Sequence, residues 1–341
     1  MRVFFNRANT NFGDHLNDWL WPRLIPEMLE IKDDRVLVGV GSLLKADLER
    51  VPGRKIIFGT GSGYGVPPTP DVAARWDIHA VRGPLTASQF GLSDDKAITD
   101  GAWLIDLLPE YATLPDRGTE AGVVPHWTSA ALGNWQGAVE AAGMTYIDPL
   151  DDGPSILDRI ARARLAVVES LHGAIFADYF RTPWVPVSST TRVLHYKWVD
   201  WCRSLDLEYH PLPLPPSDAV DFLTQGRRPN RAMPEITPIP IPDARLTMKP
   251  AAGVRAAGAG YKAKMRVKAG LRGIRDGGLD MLRARRDIGP LKGWNAGYRD
   301  DLVAYLERIQ TAEPFLSGDG IRAQRLDQLK AAFEAFKAAE R

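Results

Sequence analysis

The first two-thirds of this 341-residue chain repeat one rhythm: a short apolar run, then Gly or Asp, then a helix-like stretch. Apolar runs of this length read as strands buried on both faces, and alternation with helices demands a parallel sheet covered on both sides. Val3-Phe4-Phe5, Val36 to Val40, Ile56-Ile57-Phe58, Asp77 to Val81 and Lys96 to Thr99 are the predicted strands of a first unit. Asp14 to Leu29 reads as one helix, and Pro84 suits the first turn of another. Polar residues with Pro and Gly from Pro109 to Thr119 mark a boundary, after which the rhythm restarts. Gly122 to Pro125, Met144 to Ile147, Leu165 to Val168 and Trp184 to Val187 read as strands. The helices between them are predicted at Trp135 to Ala142, Ile156 to Ala163 and Leu171 to Phe180. The fold class is therefore α/β, with two Rossmann-like doubly wound domains, 1–112 and 113–210, facing a cleft. Ligands of such sheets sit at the carboxyl ends of strands.

Proline dominates from His210 to Pro242, so residues 211–244 read as an extended linker without helix. Residues 245–341 read as a basic helical C-terminal appendage. Its part from Arg245 to Arg286 holds twelve Lys or Arg against two Asp, and seven glycines. Helical spacing returns at Asp300 to Ile309 and at Leu326, Leu329, Phe333 and Phe336.

Composition narrows the function. A net charge of +1 argues against nucleic acid as a partner, and the single cysteine, Cys202, excludes a disulfide within the chain. The N-terminus lacks a signal-peptide pattern and no window has the ~18 apolar residues of a membrane span, so the expected location is cytoplasmic. The basic stretch 245–286 reads as a solvated surface, or as peripheral contact with anionic lipid at the inner membrane.

Candidate site residues lie where strands end. Asn11 and Asp14 follow the first strand; Asp14 is an N-cap or, with Asn11, lines the cleft. The glycine turns at Gly41 and at Gly61-Ser62 are tight turns or backbone cradles for an anion, and match neither a P-loop nor a dinucleotide fingerprint, since Tyr64 stands where a third glycine belongs. Arg82 precedes a helix start and can grip a carboxylate or phosphate, or form an ion pair. Asp100 holds a sugar hydroxyl or makes a turn. The segment Val167 to Asp178 carries most chemistry: a buried strand delivers Glu169, Ser170 and His172 to a helix start that favours an anion beside an imidazole. His126 occupies a similar junction after Pro125, whereas His79 reads as structural. No Gly-x-Ser-x-Gly elbow and no metal-ligand spacing is present, so neither a serine hydrolase nor a metal site is expected.

The ordered series is Asn-Phe-Gly-Asp, a glycine turn, Gly-Thr-Gly-Ser-Gly, Val-Arg-Gly-Pro, Asp-Gly-Ala, Pro-His and Ser-Leu-His-Gly-Ala-Ile-Phe-Ala-Asp with Pro-Trp-Val behind it. From Asn9 to Leu207 it resembles the polysaccharide pyruvyltransferases, especially the exopolysaccharide (succinoglycan-type) branch. The resemblance implies a GT-B-like fold, phosphoenolpyruvate as donor, a glycan acceptor, a pyruvate ketal product and no cofactor. It makes His172 the leading catalytic residue, with Glu169 or His126 as its complement. Many members carry arginine immediately before Leu-His, where this chain has Ser170; Arg82, Arg192 and Lys197 are the candidates to replace its charge. Two other readings compete: a GT-B nucleotide-sugar glycosyltransferase, in which Asp148 or Asp151 would grip a ribose, and a non-catalytic glycan-binding protein.

Overall fold

The computed structural model describes residues 1–7, 11–190, 193–225, 236–248, 278, 281 and 290–341. The first sheet contains β1 (Arg2–Phe4), β2 (Val36–Val38), β3 (Lys55–Thr60) and β4 (Asp77–Val81), all parallel and paired in chain order. The second contains β5 (Ala121–Val124), β6 (Thr145–Tyr146), β7 (Leu165–Val168), β8 (Trp184–Ser188) and β9 (Leu212–Pro213), parallel and ordered β6-β5-β7-β8-β9. The helices are α1 (Phe12–Leu24), α2 (Pro26–Glu30), α3 (Pro70–Ala73), α4 (Pro84–Phe90), α5 (Trp127–Leu132), α6 (Trp135–Ala141), α7 (Gly153–Arg162), α8 (Leu171–Tyr179), α9 (His195–Ser204), α10 (Ala219–Gln225), α11 (Pro290–Ile309) and α12 (Asp319–Glu340).

The α/β expectation with parallel sheets is met, and the strand order refines it. Strand order reverses only in the second sheet, between β5 and β7, so the doubly wound expectation does not apply to the first. A reversal leaves a crevice at the carboxyl ends of the two strands from which the chain departs in opposite directions. Here those ends are Pro125-His126 and Glu169-Ser170.

The alternation of strand side chains explains how each sheet is covered. Leu37, Ile56 and Phe58 enter one core, whereas Val36, Val38 and Ile57 enter another on the opposite face. The first of these cores runs on through Trp103, Phe12 and Phe176 to Val168 and Trp184, so both sheets share it.

Four local expectations need correction. The predicted helix Asp14 to Leu29 breaks at Ile25, whose φ of −139° reflects the steric demand of Pro26 behind it. Lys96 to Thr99 forms no strand; Ala97 makes a single bridge to Val81, because a 3-10 turn occupies Asp94–Lys96. The segment 211–244 is not a structureless linker: Leu212–Pro213 adds β9 to the sheet edge and α10 follows. Proline is tolerated there because an edge strand leaves one side unpaired. The closing helices are not an appendage. Leu302, Leu306 and Ile309 of α11 complete the core beneath β5, β7 and β8, and Phe333 and Phe336 of α12 pack on Phe58. Glu340 anchors that helix to Arg35 and Arg54 of the first unit.

The basic stretch 245–286 falls outside the described residues apart from 245–248, 278 and 281. Among the described residues, no helix is long and apolar enough to cross a membrane.

Candidate active site

Two adjoining cavities lie at the strand ends. The smaller, of about 110 Å3, is polar and is bordered by Asn11, Asp14, Lys45, Ser170, His172 and Lys197. The larger, of about 370 Å3, has walls from Trp127, Leu132, Val193 and Trp198 together with Glu169 and Thr190. His126, Tyr64 and Lys197 border both. A third cavity of about 860 Å3 lies among Leu212, Ile236, Arg308 and Phe315. It contains none of the strand-end polar groups and adjoins the undescribed residues at Ile236.

His172 sits in the first turn of α8. Ser170 caps that helix by accepting the Gly173 amide at 3.4 Å. All nine residues of α8 are buried, as expected for a helix apolar on every side between two sheets. The imidazole lies against the Asn11 turn, and a Cβ on Gly13 would stand 1.9 Å from its Nδ1. Glycine at 13 is thus a requirement of close approach. Phe12 meets the same ring edge-on at 6.2 Å. Burial, with the charges of Lys197 and Arg82 behind it, lowers the His172 pKa to about 3, so the free site holds a neutral imidazole. Its Nε2 is buried and has no partner among the described residues.

His126 caps α5. Its Nδ1 accepts the Thr128 amide at 3.3 Å and lies 2.6 Å from the Thr128 hydroxyl. An acceptor Nδ1 places the ring proton on Nε2. Burial and then Lys197 lower this pKa also to about 3.

Glu169 borders the larger cavity, but its carboxylate is committed elsewhere. Oε2 accepts the His126 amide at 3.0 Å, and Oε1 accepts both the amide and the hydroxyl of Ser189, at 2.7 and 2.6 Å. It therefore fixes the ends of β5, β7 and β8 relative to one another. The expectation of a proton-transfer role for Glu169 gives way to a positioning one.

Lys197 projects from α9. It is buried, its ammonium lies 5.1 Å from the Tyr64 ring centroid, and it has no carboxylate partner among the described residues. A buried ammonium without a carboxylate partner among the described residues, in one cavity with two neutral imidazoles, favours an anion over a cation there.

Arg82 is not that site. Its guanidinium is inaccessible to solvent and engaged at each nitrogen: Nε on Asp200 at 3.3 Å, Nη1 on Ser42 Oγ at 2.9 Å, Nη2 on the Ser62 carbonyl at 2.6 Å. Asp200 in turn accepts the Thr86 amide and hydroxyl. The expected donor contact is thus corrected to a structural clamp between β4 and α9. Gly61 is needed because a Cβ there would lie 2.5 Å from Arg82 Nη2, and Gly41 because its φ is +119°. Neither glycine, nor Ser62, borders a cavity; all three shape turns. Asp100 is also buried and caps the 3-10 helix Gly101–Leu107 through the Ala102 amide at 3.0 Å. Burial pushes its carboxyl up to about 7 against the pull of Arg82. The expected hydroxyl-binding role for Asp100 therefore yields to capping.

Asn11 caps α1 through the Gly13 amide at 3.3 Å, and with Asp14 borders the smaller cavity. Asn17 explains the placement of this turn: it bonds both the Asp14 and Val40 carbonyls at 2.9 Å, tying α1 to the end of β2. Arg192 lies outside the described residues. Asp148 bonds the Leu150 amide and Asp151 pairs with Arg159; neither borders the two cavities. Among the described residues no cluster of three His, Cys, Asp or Glu could hold a metal.

Lys45, Tyr64, Trp127 and Trp198 border the cavities without having been expected there. Two had a signal: Trp127 directly follows a strand-end histidine, and Tyr64 closes a glycine turn. Lys45 and Trp198 had none, because their position depends on how a loop and a helix pack.

No family model matches the chain. A curated relative, the succinoglycan biosynthesis protein ExoV of Rhizobium meliloti (strain 1021), is 38% identical over 225 residues, which cover 66% of this chain and 71% of the relative. Identity at that level over two-thirds of both proteins implies a common fold and descent, and the chain belongs to the family of the succinoglycan biosynthesis protein ExoV.

Proposed function

We propose that this chain transfers the pyruvyl group of phosphoenolpyruvate to a pair of hydroxyls on a sugar of an exopolysaccharide or its lipid-linked precursor, forming a pyruvate ketal and releasing phosphate. The observation that carries the reading is the buried, unpaired Lys197 in the same small cavity as His172 and the start of α8. That set suits a compact anion next to a proton-transfer group. It also supplies the positive charge that arginine provides in many pyruvyltransferases at the position of Ser170. Kinship with a succinoglycan biosynthesis protein supports an exopolysaccharide as the product. The helix-covered parallel sheets are consistent with a Rossmann-like fold, on which the GT-B-like reading builds.

The chemistry balances on two protons. A hydroxyl oxygen bonds to C2 of the donor as its methylene gains a proton; the C2–O bond to phosphate then breaks, and the second hydroxyl closes the ketal. Of the two hydroxyl protons, one ends on the new methyl group and the other on phosphate. Neutral His172 takes a hydroxyl proton. The charge of the bound donor raises the basicity of its imidazole, which lets the same group return a proton to the methylene. His126, with its proton on Nε2, orients an oxygen between the cavities. Lys197 and the first amides of α8 hold the phosphate and carboxylate. No step calls for a metal.

The test is phosphate release from phosphoenolpyruvate over a panel of glycan acceptors, with the ketal methyl group followed by proton NMR. The wild-type protein should form the ketal, and His172→Gln should lose most turnover while keeping its circular dichroism. Near-normal ketal formation by the variant would overturn the assignment, and turnover of a nucleotide sugar in place of phosphoenolpyruvate would favour a glycosyltransferase.

A further inference from the structure

The larger cavity has a different chemistry from its polar neighbour. Its volume, about 370 Å3, falls within the range of roughly 300–1,000 Å3 of small-molecule sites. Three aromatic side chains, Tyr64, Trp127 and Trp198, contribute to its walls, with Leu132 and Val193 between them. The Glu169 carboxylate on its border already accepts from three protein donors. Lys197 stands where the two cavities meet. Trp198 is 1% exposed and stacks on Tyr209 at 5.0 Å, with its indole N–H closed to solvent. Tyr64 is exposed and Trp127 is half-buried, so these two rings are the accessible aromatic groups of the wall.

Aromatic walls suit a molecule with apolar faces and hydroxyl edges, which describes a pyranose ring better than an anion. We propose that this cavity is the acceptor subsite, taking a neutral hexopyranose unit against Trp127 and Tyr64. A sugar so placed presents its hydroxyls toward His126 and Lys197, at the mouth of the smaller cavity. The assignment rests on the pyruvyl-transfer reading for the word acceptor, but sugar binding itself does not require that reading.

Saturation-transfer difference NMR with neutral β-linked gluco- and galacto-oligosaccharides, without phosphoenolpyruvate, separates the two. The wild-type protein should give a sugar signal that falls at least fivefold in Trp127→Ala. Trp198→Phe keeps an aromatic ring on Tyr209 and should hold the signal within about twofold, because the N–H it removes is closed to the cavity. Tyr64→Ala, at an exposed position, guards against misfolding of the tryptophan variants and should also weaken the signal. Absence of any sugar signal in the wild-type protein, an undiminished signal in Trp127→Ala and Tyr64→Ala, or displacement of the sugar by UDP overturns the proposal. A protein that binds sugar but never consumes phosphoenolpyruvate retains the subsite and loses the pyruvyl-transfer reading.

Discussion

Arg82 and Asp200, 118 residues apart in sequence and both closed to solvent, meet at 3.3 Å and join the end of the first sheet to α9 of the second half. That helix also carries Lys197 and Trp198, so the pair sets where the cavity groups of α9 stand relative to the turns at Gly41 and Gly61.

Removing one member of a buried ion pair leaves the other charge uncompensated and costs about 3–5 kcal/mol. Arg82→Ala should therefore lower stability by about that amount in urea titrations. Asp200→Asn should cost less, since its amide oxygen still accepts from Thr86. A stability change under 1 kcal/mol for Arg82→Ala would contradict the clamp.

Lys197→Met keeps length and loses charge. Thermal stabilisation by phosphoenolpyruvate should drop by more than tenfold in apparent affinity, and Lys197→Arg should recover part of it. Because Lys197 also holds down the His172 and His126 pKa values, both should rise in the methionine variant when followed by imidazole NMR.

His172 makes stability depend on pH. The folded imidazole stays neutral down to about 3, whereas in the unfolded chain it binds a proton near 6.5. The unfolded state thus holds more protons between those values, so stability is full above about 6.5 and declines as pH falls toward 3. At pH 5 the loss reaches about 2 kcal/mol for this residue. His172→Gln should show a flatter dependence between pH 5 and 7.5. Half-buried His126 should contribute in the same direction but less.

Gly13→Ala should displace the His172 ring, since a methyl cannot stand 1.9 Å from Nδ1. Turnover should fall at least a hundredfold while circular dichroism stays unchanged. Activity within threefold of wild type would show that the ring position is not critical.

Phe333 is buried against Trp21, Phe58 and Phe336. Phe333→Ala should cost about 3–5 kcal/mol, the range for deleting a buried aromatic ring. A truncation before Asp319 should leave no cooperative unfolding transition, because it uncovers one face of the first sheet.

The lining of the two cavities was legible in part. His172, His126, Ser170, Asn11, Asp14 and Lys197 border the cavities as their strand-end or charge character suggested. Arg82, Gly61 and Ser62 have the same local character, but they are tied to one another and to Asp200 away from the cavities, while Asp100 caps its own turn and Gly41 serves a positive φ. An arginine at a strand end looks the same in sequence whether free or paired, until the position of an opposing aspartate is known.

The alternation of apolar runs with helix signals by itself determined that this chain forms parallel sheets covered by helices, because backbone hydrogen bonding and side-chain period leave few alternatives. It also pointed to the junction of β7 and α8, where Ser170 and His172 border a cavity. Which charge is free and which is spent was decided only by the tertiary structure. The energy of a buried charge depends on what lies within a few ångströms, and for Arg82 and Lys197 those neighbours come from residues that sequence order keeps far apart.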